Sequence, residues 1–268
     1  MHKSSAFESV STEDAVLNPQ KFTFSDITES LKLGWRTLNA MPGPSMAFAA
    51  VFGVIDAVIL AMLWFYGLSP MLLPFAGGFM LIGPALLTGF FRLAVLHETN
   101  STVQIKDAFK AFLKTPASIW LVAMVCALLF LIWITDSAVL YVIMIGGEDA
   151  GYDLSWLARL DEDAIRFAIW GSLIGSVLAF IIFSISAFSV PLLYERRANL
   201  IRAIHASVRA VFGNLFFSLV WGIVLTGVTS IAIIFPPLFL LFFPALAYAS
   251  FSLYRKVFPG EALIAEKN

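Results

Sequence analysis

Asp56 is the residue whose type and position in this sequence could best support chemistry inside a membrane. It lies in an apolar run from about Ser45 to Tyr66. At about 1.5 Å per helical residue it falls near the middle of a hydrocarbon core about 30 Å thick. With no Lys or Arg at that depth, its carboxyl either takes up a proton or hydrogen-bonds to neighbours such as Thr226 or Ser184. Asp56 is therefore either a proton or ion relay or a protonated packing residue, and the sequence leaves both open.

No other set of reactive residues matches a catalytic or metal-binding pattern. The three histidines are His2, His97 and His205, and all lie outside the predicted spans. A haem in the membrane would need paired imidazoles inside the spans. The single cysteine, Cys126, lies in an apolar run, which excludes a disulfide framework and a thiolate metal site. No P-loop, HExxH motif or Ser-His-Asp set occurs. The sequence therefore predicts no cofactor and no metal, and it favours a protein that is not an enzyme.

Composition indicates a membrane protein. Of the 268 residues 60% are hydrophobic and only 13% are charged, which is more apolar surface than one soluble core could bury. The net charge of −1 argues against a nucleic-acid partner, because a phosphate backbone requires clustered Lys and Arg. The polar start of the chain lacks an apolar signal core, so we expect the first membrane helix to direct insertion.

Six apolar segments are long enough to cross a bilayer, which requires about 20 residues each. They form three predicted hairpins, at about 45–66 with 70–95, 116–145 with 164–193, and 214–235 with 236–254. The second span is interrupted by Gly78, Gly83, Pro84 and Gly89. We expect it to be central, because glycine lets a neighbouring backbone approach and proline frees a carbonyl that needs a partner inside protein. Small residues at four-residue spacing, including Gly53, Gly171, Gly175 and Gly222, predict further helix packing.

An amphipathic helix is predicted before each hairpin, starting near Ser25, Thr102 and Asn199. The apolar faces, which we expect to lie on the membrane surface, carry Ile27, Leu31, Trp35 and Leu38, then Ile105, Ala108, Phe109 and Phe112, then Ile201, Ile204, Val208 and Val211. The cations that we expect to contact anionic lipid are Lys106, Lys110, Lys114, Arg202 and Arg209. The sequence thus predicts an all-α polytopic membrane protein with six spans, three amphipathic surface helices and a weak three-unit repeat.

Charge placement predicts the orientation. Of the 17 Lys and Arg, only Arg159 and Arg166 lie beside the acidic segment 146–163, and the positive-inside rule therefore places both termini in the cytoplasm. We expect a mobile tail at residues 1–23, a six-helix membrane domain at 24–257 and a second tail at 258–268.

Several residues carry a resemblance to a known family. They are Gly34-Trp35, Ser45, Gly78-Phe79, Gly83-Pro84, Gly89, Arg92, Pro191-Leu192-Leu193, Ser207-Val208-Arg209, Asn214, Trp221, Pro244 and Tyr254-Arg255. Over roughly residues 24–257 the chain resembles bacterial integral membrane proteins whose shared domain has no established function, some described as proposed cytochrome c oxidase subunits. The resemblance implies a bacterial inner membrane. Family members often carry two histidines just before the Tyr-Arg pair, and the matching positions here are Tyr248 and Ser252.

Two classes of function remain open. A non-catalytic accessory or assembly subunit of a larger inner-membrane complex is favoured by the packing pattern, by the lack of reactive sets and by the basic surface helices; the resemblance implies a respiratory complex. A small-solute or proton-coupled transporter is favoured by Asp56 and by the Gly- and Pro-interrupted second span. A second acid at the midplane would favour transport, since relays normally use more than one.

The topology can be tested by labelling. Cysteines placed at Ser4 and Asp153, in a chain whose Cys126 is replaced, should react with an impermeant reagent from opposite sides of the membrane. Labelling of both positions from the same side would contradict the predicted topology.

Overall fold

The computed structural model describes residues 17–65, 72–144, 162–234 and 236–260, and over these ranges the chain is helical without strands. The amphipathic helices are α1 (Phe24–Ala40), α4 (Ile105–Leu113) and α8 (Leu200–Gly213). The long apolar helices are α2 (Pro42–Phe65), α3 (Leu72–Glu98), α5 (Ala117–Met144), α6 (Glu162–Ser186), α9 (Leu215–Ile234) and α10 (Pro236–Val257), and a short helix, α7 (Ser189–Tyr194), follows α6. The all-α class and the amphipathic helices are confirmed.

Several described helices have the length and composition of membrane spans. Four segments qualify, Pro42–Ile59, Ala117–Met144, Ile165–Tyr194 and Pro237–Val257. A fifth is counted if α8 and the start of α9, which meet at a bend of 104°, are taken together. The chain is therefore a polytopic membrane protein, while the count of six spans and the three-unit repeat stay predictions.

Polar side chains define where the amphipathic helices begin. Asp26 Oδ2 accepts hydrogen bonds from the backbone N–H and the hydroxyl of Thr23, both at 2.8 Å. Asp107 Oδ2 accepts from the Gln104 N–H at 3.1 Å, and Asn199 Oδ1 from the Arg202 N–H at 3.0 Å. The three bonds that a backbone N–H donates each satisfy a donor that has no partner within its helix.

The apolar faces of these helices pack against the bundle. Ile27 of α1, Ala108 of α4 and Val211 of α8 are at most 1% exposed. Phe109 of α4 meets Phe48 of α2 edge-on, with ring centroids 5.0 Å apart. The expectation that the apolar faces lie on the membrane is therefore wrong for these side chains. The error has a physical cause, because a helix that covers protein shows the same apolar spacing as one that covers lipid.

The buried core is concentrated at one end of the bundle, which we call the basic end because it carries Arg92, Arg209 and Arg255. Its largest fully buried side chains include Phe48, Phe90, Phe91, Phe188, Phe251, Tyr254 and Phe258. Phe91 of α3 stacks on Phe251 of α10 at a centroid distance of 4.5 Å. The basic end is thus packed like the interior of a soluble domain.

The remaining lengths of the long helices expose large apolar side chains, and we call this part the apolar end. On α2 these side chains run from Val51 to Phe65, and on α6 from Ile165 to Ile181. At about 1.5 Å per residue each stretch covers roughly 20 to 25 Å. That length fits most of a hydrocarbon core about 30 Å thick, so the apolar end has the surface expected of helices in lipid.

The first helix packs along the last one in the opposite direction. Lys256 pairs with Asp26 at 3.2 Å, and the Ser252 hydroxyl lies 3.5 Å from that of Ser30. A Cβ atom at Gly34 would lie 2.8 Å from the Ala249 backbone nitrogen and 2.9 Å from its Cβ. Only glycine permits this approach, and the contact brings α1 directly against the backbone of α10.

Gly34 offers a test of this packing. Gly34→Ala should lower the melting temperature in detergent by an amount equivalent to about 1–3 kcal/mol, because the added methyl overpacks the contact. Gly43→Ala is the matched control, since a Cβ at Gly43 meets no described atom within 4 Å, and it should leave the melting temperature unchanged or raise it. Equal melting temperatures for the two variants would contradict the described contact.

Candidate functional site

Asp56 lies within α2, but its side chain falls outside the described part of the structure, so its proposed relay role stays a prediction. Of its two suggested partners, Ser184 is buried at the basic end and its hydroxyl donates to the Phe180 carbonyl at 2.7 Å. Thr226 is exposed on α9. The hydroxyl proton of Ser184 is thus already used within its own helix.

Tyr248 and Ser252, the two α10 positions that the sequence resemblance singled out, take part in helix packing. The Tyr248 hydroxyl lies 2.6 Å from Ser45 Oγ. Because Ser45 donates its own proton to the Met41 carbonyl at 2.8 Å, Tyr248 is the donor of this pair. Ser252 faces Ser30 of α1. Among the described residues, no group of three or more His, Cys, Asp or Glu side chains could hold a metal ion.

A network of charged and hydroxyl groups joins the basic ends of three helices. Glu195, just after α7, accepts hydrogen bonds from the Tyr254 hydroxyl at 2.7 Å and from Arg255 Nη2 at 3.1 Å. Arg255 also pairs with Glu98 at the end of α3, and its guanidinium lies 4.3 Å from the centroid of the Phe251 ring. The network thus fixes α10 to the ends of α3 and α7.

Arg197 extends this network to the end of the last helix. Its Nη1 donates to the Tyr254 hydroxyl at 3.1 Å and to the Phe258 carbonyl at 2.6 Å, and its Nη2 donates to the Pro259 carbonyl at 3.0 Å. These two carbonyls follow the end of α10, where backbone acceptors lack helical partners. Both oxygens of Glu195 and the Tyr254 hydroxyl are therefore bonded inside the protein, so the network stabilises the fold.

A left-handed residue directs Arg197 into this network. Arg196 has φ +55°, the Arg196 N–H donates to the Leu193 carbonyl at 3.2 Å, and the Arg197 N–H donates to the Leu192 carbonyl at 3.0 Å. This pair of bonds is the usual reversal at a helix end. The sequence analysis missed the network because Glu195 and Arg255 are 60 residues apart. The available signal was the occurrence of Glu195-Arg196-Arg197 and Tyr254-Arg255 at the ends of apolar runs.

The cations predicted to contact lipid are exposed on α4, on α8 and at Lys114, which directly follows α4. Lys106, Lys110 and Lys114 are exposed, as are Arg202 and Arg209. Arg209 donates to Asn18 Oδ1 at 2.9 Å. No described carboxylate forms an ion pair with any of the three lysines.

The carboxylates of the basic end are used internally. Asp26 and Glu29 pair with Lys256, and Glu98 and Glu195 pair with Arg255. Burial raises the pKa of Asp26, but hydrogen bonds from Thr23 and the Lys256 ammonium outweigh it and hold this pKa below its ordinary value. Asp26, Glu29, Glu98 and Glu195 are therefore paired with cations of the same chain.

The glycines predicted to mediate packing fall into two groups. A Cβ at Gly89 would lie 2.5 Å from the Phe48 ring, one at Gly175 would lie 2.6 Å from the Trp133 indole nitrogen, and one at Gly53 would lie 3.3 Å from the Phe239 ring. At Gly83, Gly171 and Gly222 a Cβ would meet no described atom within 4 Å. Pro84 is half-buried within α3, and the surroundings of Gly78 fall outside the described part.

The network predicts a stability difference between two glutamates. Glu195→Gln should destabilise the protein by about 1–3 kcal/mol, because it removes the charge that pairs with Arg255 and leaves buried donors poorly matched. Glu162 is the control: its carboxylate pairs with Arg166 at 2.6 Å but is 78% exposed, so Glu162→Gln should change stability little. Thermal unfolding in detergent measures both, and an unaffected Glu195→Gln variant would contradict the stabilising role.

Comparison with known proteins agrees with the resemblance in the sequence. Neither the curated proteins nor the solved structures contain a match to the chain. The model of one protein family matches residues 72–195, from the start of α3 to Glu195 of the network. Over these residues, which make up less than half of the chain, the protein is similar to a family described as predicted integral membrane protein (DUF2189).

Proposed function

We propose that the protein is a non-catalytic accessory or assembly subunit of a larger complex, a respiratory one by the family resemblance, in a bacterial inner membrane. The observation that carries this proposal is the internal use of its polar groups. Glu195 accepts hydrogen bonds from Tyr254 and Arg255, and Tyr248 binds Ser45. The polar residues of the core thus connect helices of the same chain, as expected of a scaffold.

The exposed faces of the long helices support a role in association. Val139 and Ile143 of α5, Trp170 and Leu173 of α6 and Ile223 of α9 are all at least half exposed. Apolar faces of this kind contact either lipid tails or helices of another subunit, since both bury the same surface. A membrane subunit uses such faces to join a larger assembly.

Anionic lipids are the second proposed partner, on the cytoplasmic side, where both termini are proposed to lie. Lys106, Lys110 and Lys114 are exposed, and none of them forms an ion pair with a described carboxylate. Each cation near an anionic leaflet is worth about 1 kcal/mol of attraction. The basic end would therefore fix the depth and orientation of the bundle.

A proton-coupled transporter is the alternative. It is favoured by an acid, Asp56, on a long apolar helix, and by the glycines and Pro84 in the sequence of α3. Transport sites are often built where membrane helices are interrupted, whereas α3 continues through Pro84 as one helix from Leu72 to Glu98. In this alternative Asp56 would bind and release a proton during each cycle.

Asp56 distinguishes the two proposals. Asp56→Asn keeps the size of the side chain and its hydrogen-bonding capacity but removes the titratable proton, so an accessory subunit should complement a deletion strain fully at matched expression. Mild-detergent purification with mass spectrometry should then recover the same co-migrating proteins from the strain with the wild-type protein and from the strain with the Asn variant. An optical spectrum of the purified material would reveal any haem in it. Lost complementation with intact co-purification would instead support the relay.

Asp56→Lys serves as the misfolding reference for this experiment. A lysine at the centre of a span costs about 2.5 to 3.5 kcal/mol on insertion scales. This variant should fail in both assays. Normal complementation and complex formation by the Lys variant would contradict the predicted depth of residue 56.

A further inference from the structure

A short segment without helical structure precedes α1 and crosses the basic end. It comprises residues 17–23 and we call it the strap. Its Phe22 is only 2% exposed, and its ring centroid lies 6.4 Å from that of Phe188 and 6.3 Å from that of Phe217. One aromatic side chain therefore anchors the strap between the α6–α7 junction and the first turn of α9.

Backbone hydrogen bonds hold the strap at Gln20 and at the anchor residue itself. The Gln20 N–H donates to the Val257 carbonyl at 2.8 Å, and the Phe22 N–H donates to Asn214 Oδ1 at 3.1 Å. Asn214 Nδ2 in turn lies 3.4 Å from the Gln20 carbonyl. A peptide-binding protein holds an extended ligand in the same way, through main-chain hydrogen bonds and a pocket for an anchoring side chain.

The groups that receive the strap are held by contacts of their own. The Phe188 N–H donates to Ser207 Oγ at 3.1 Å, and Ser207 donates to the Ser184 carbonyl at 2.8 Å. Asn214 also donates to the Ala210 carbonyl at 3.0 Å. We call this receiving site, formed by Phe188, Asn214, Phe217 and the Val257 carbonyl, the socket. Its supporting hydrogen bonds do not involve the strap, so the site is preformed.

We propose that the socket is a binding site for an extended peptide with a phenylalanine anchor, which the protein's own strap occupies in the resting state. Release would break the hydrogen bonds of Asn18, Gln20 and Phe22, but the strap contains no helix that would have to unfold. The proposal rests on the accessory-subunit function, since release of the strap would let the socket hold an extended segment of another subunit. The ligand class follows from the strap itself: an aromatic anchor at one end of an extended, polar segment.

The test uses the full chain and the protein's own strap sequence as the probe. A fluorescent peptide of residues 17–23 should bind the purified Phe22→Ala protein in detergent. It should bind the wild-type protein at least tenfold more weakly, because the tethered strap competes at high effective concentration. The same peptide with alanine in place of its phenylalanine should lose at least tenfold in affinity. The protein variant Phe24→Ala is the matched control, since Phe24 is 59% exposed, and it should behave as wild type.

Equal binding of the two peptides, or no binding to a folded Phe22→Ala protein, would overturn the proposal. If that variant fails to fold, hydrogen exchange on the wild-type protein decides. The amides of Gln20 and Phe22 should exchange at least tenfold faster than the amides in the middle of α1, because the strap opens without unfolding the helix. Equal exchange rates would overturn the proposal. Both measurements use the isolated protein, so their failure is distinct from failure to find a partner complex.

Discussion

Because Gly34 has no side chain, α1 lies directly against the backbone of α10 at Ala249. This approach brings Ser30 to Ser252 and Asp26 to Lys256, so α1 packs along α10 as one of the helices of the bundle. Of the four candidate spans among the described residues, α10 is the most enclosed: 56% of its apolar stretch is buried in protein, against 18–22% for the other three. The basic end therefore depends on a contact between the first and last helices.

The helical class and the position of the amphipathic helices could be predicted from the sequence because both follow from local patterns. Capping residues such as Asp26 and Asp107 act three residues from the backbone groups they satisfy. What the apolar face of each helix would touch could not be predicted this way. Val211 has the spacing of a lipid-facing residue and is fully buried in protein. Apolar periodicity indicates that a helix face is covered, but it does not distinguish a cover of protein from one of lipid.

The polar network and the strap could not be predicted for a different reason. Glu195 meets Arg255 across 60 residues, and Phe22 meets Asn214 across 192. Nothing in the local pattern of Glu195-Arg196-Arg197 distinguishes an exposed basic turn from one whose second arginine binds the end of α10. The same holds for Asn214, which the sequence predicts as the start of the fifth span and which in the structure binds the backbone of the strap.

The pairing of α1 with α10 also has a consequence for biosynthesis. Ser30 and Ser252 are 222 residues apart, so α1 leaves the ribosome before almost all of the chain that will cover it. Its apolar face, including Ile27, cannot pack on α10 until the intervening helices have been inserted. Contacts between residues so distant in sequence form late. Folding of the basic end is therefore completed only once α10 has been synthesised and has entered the membrane.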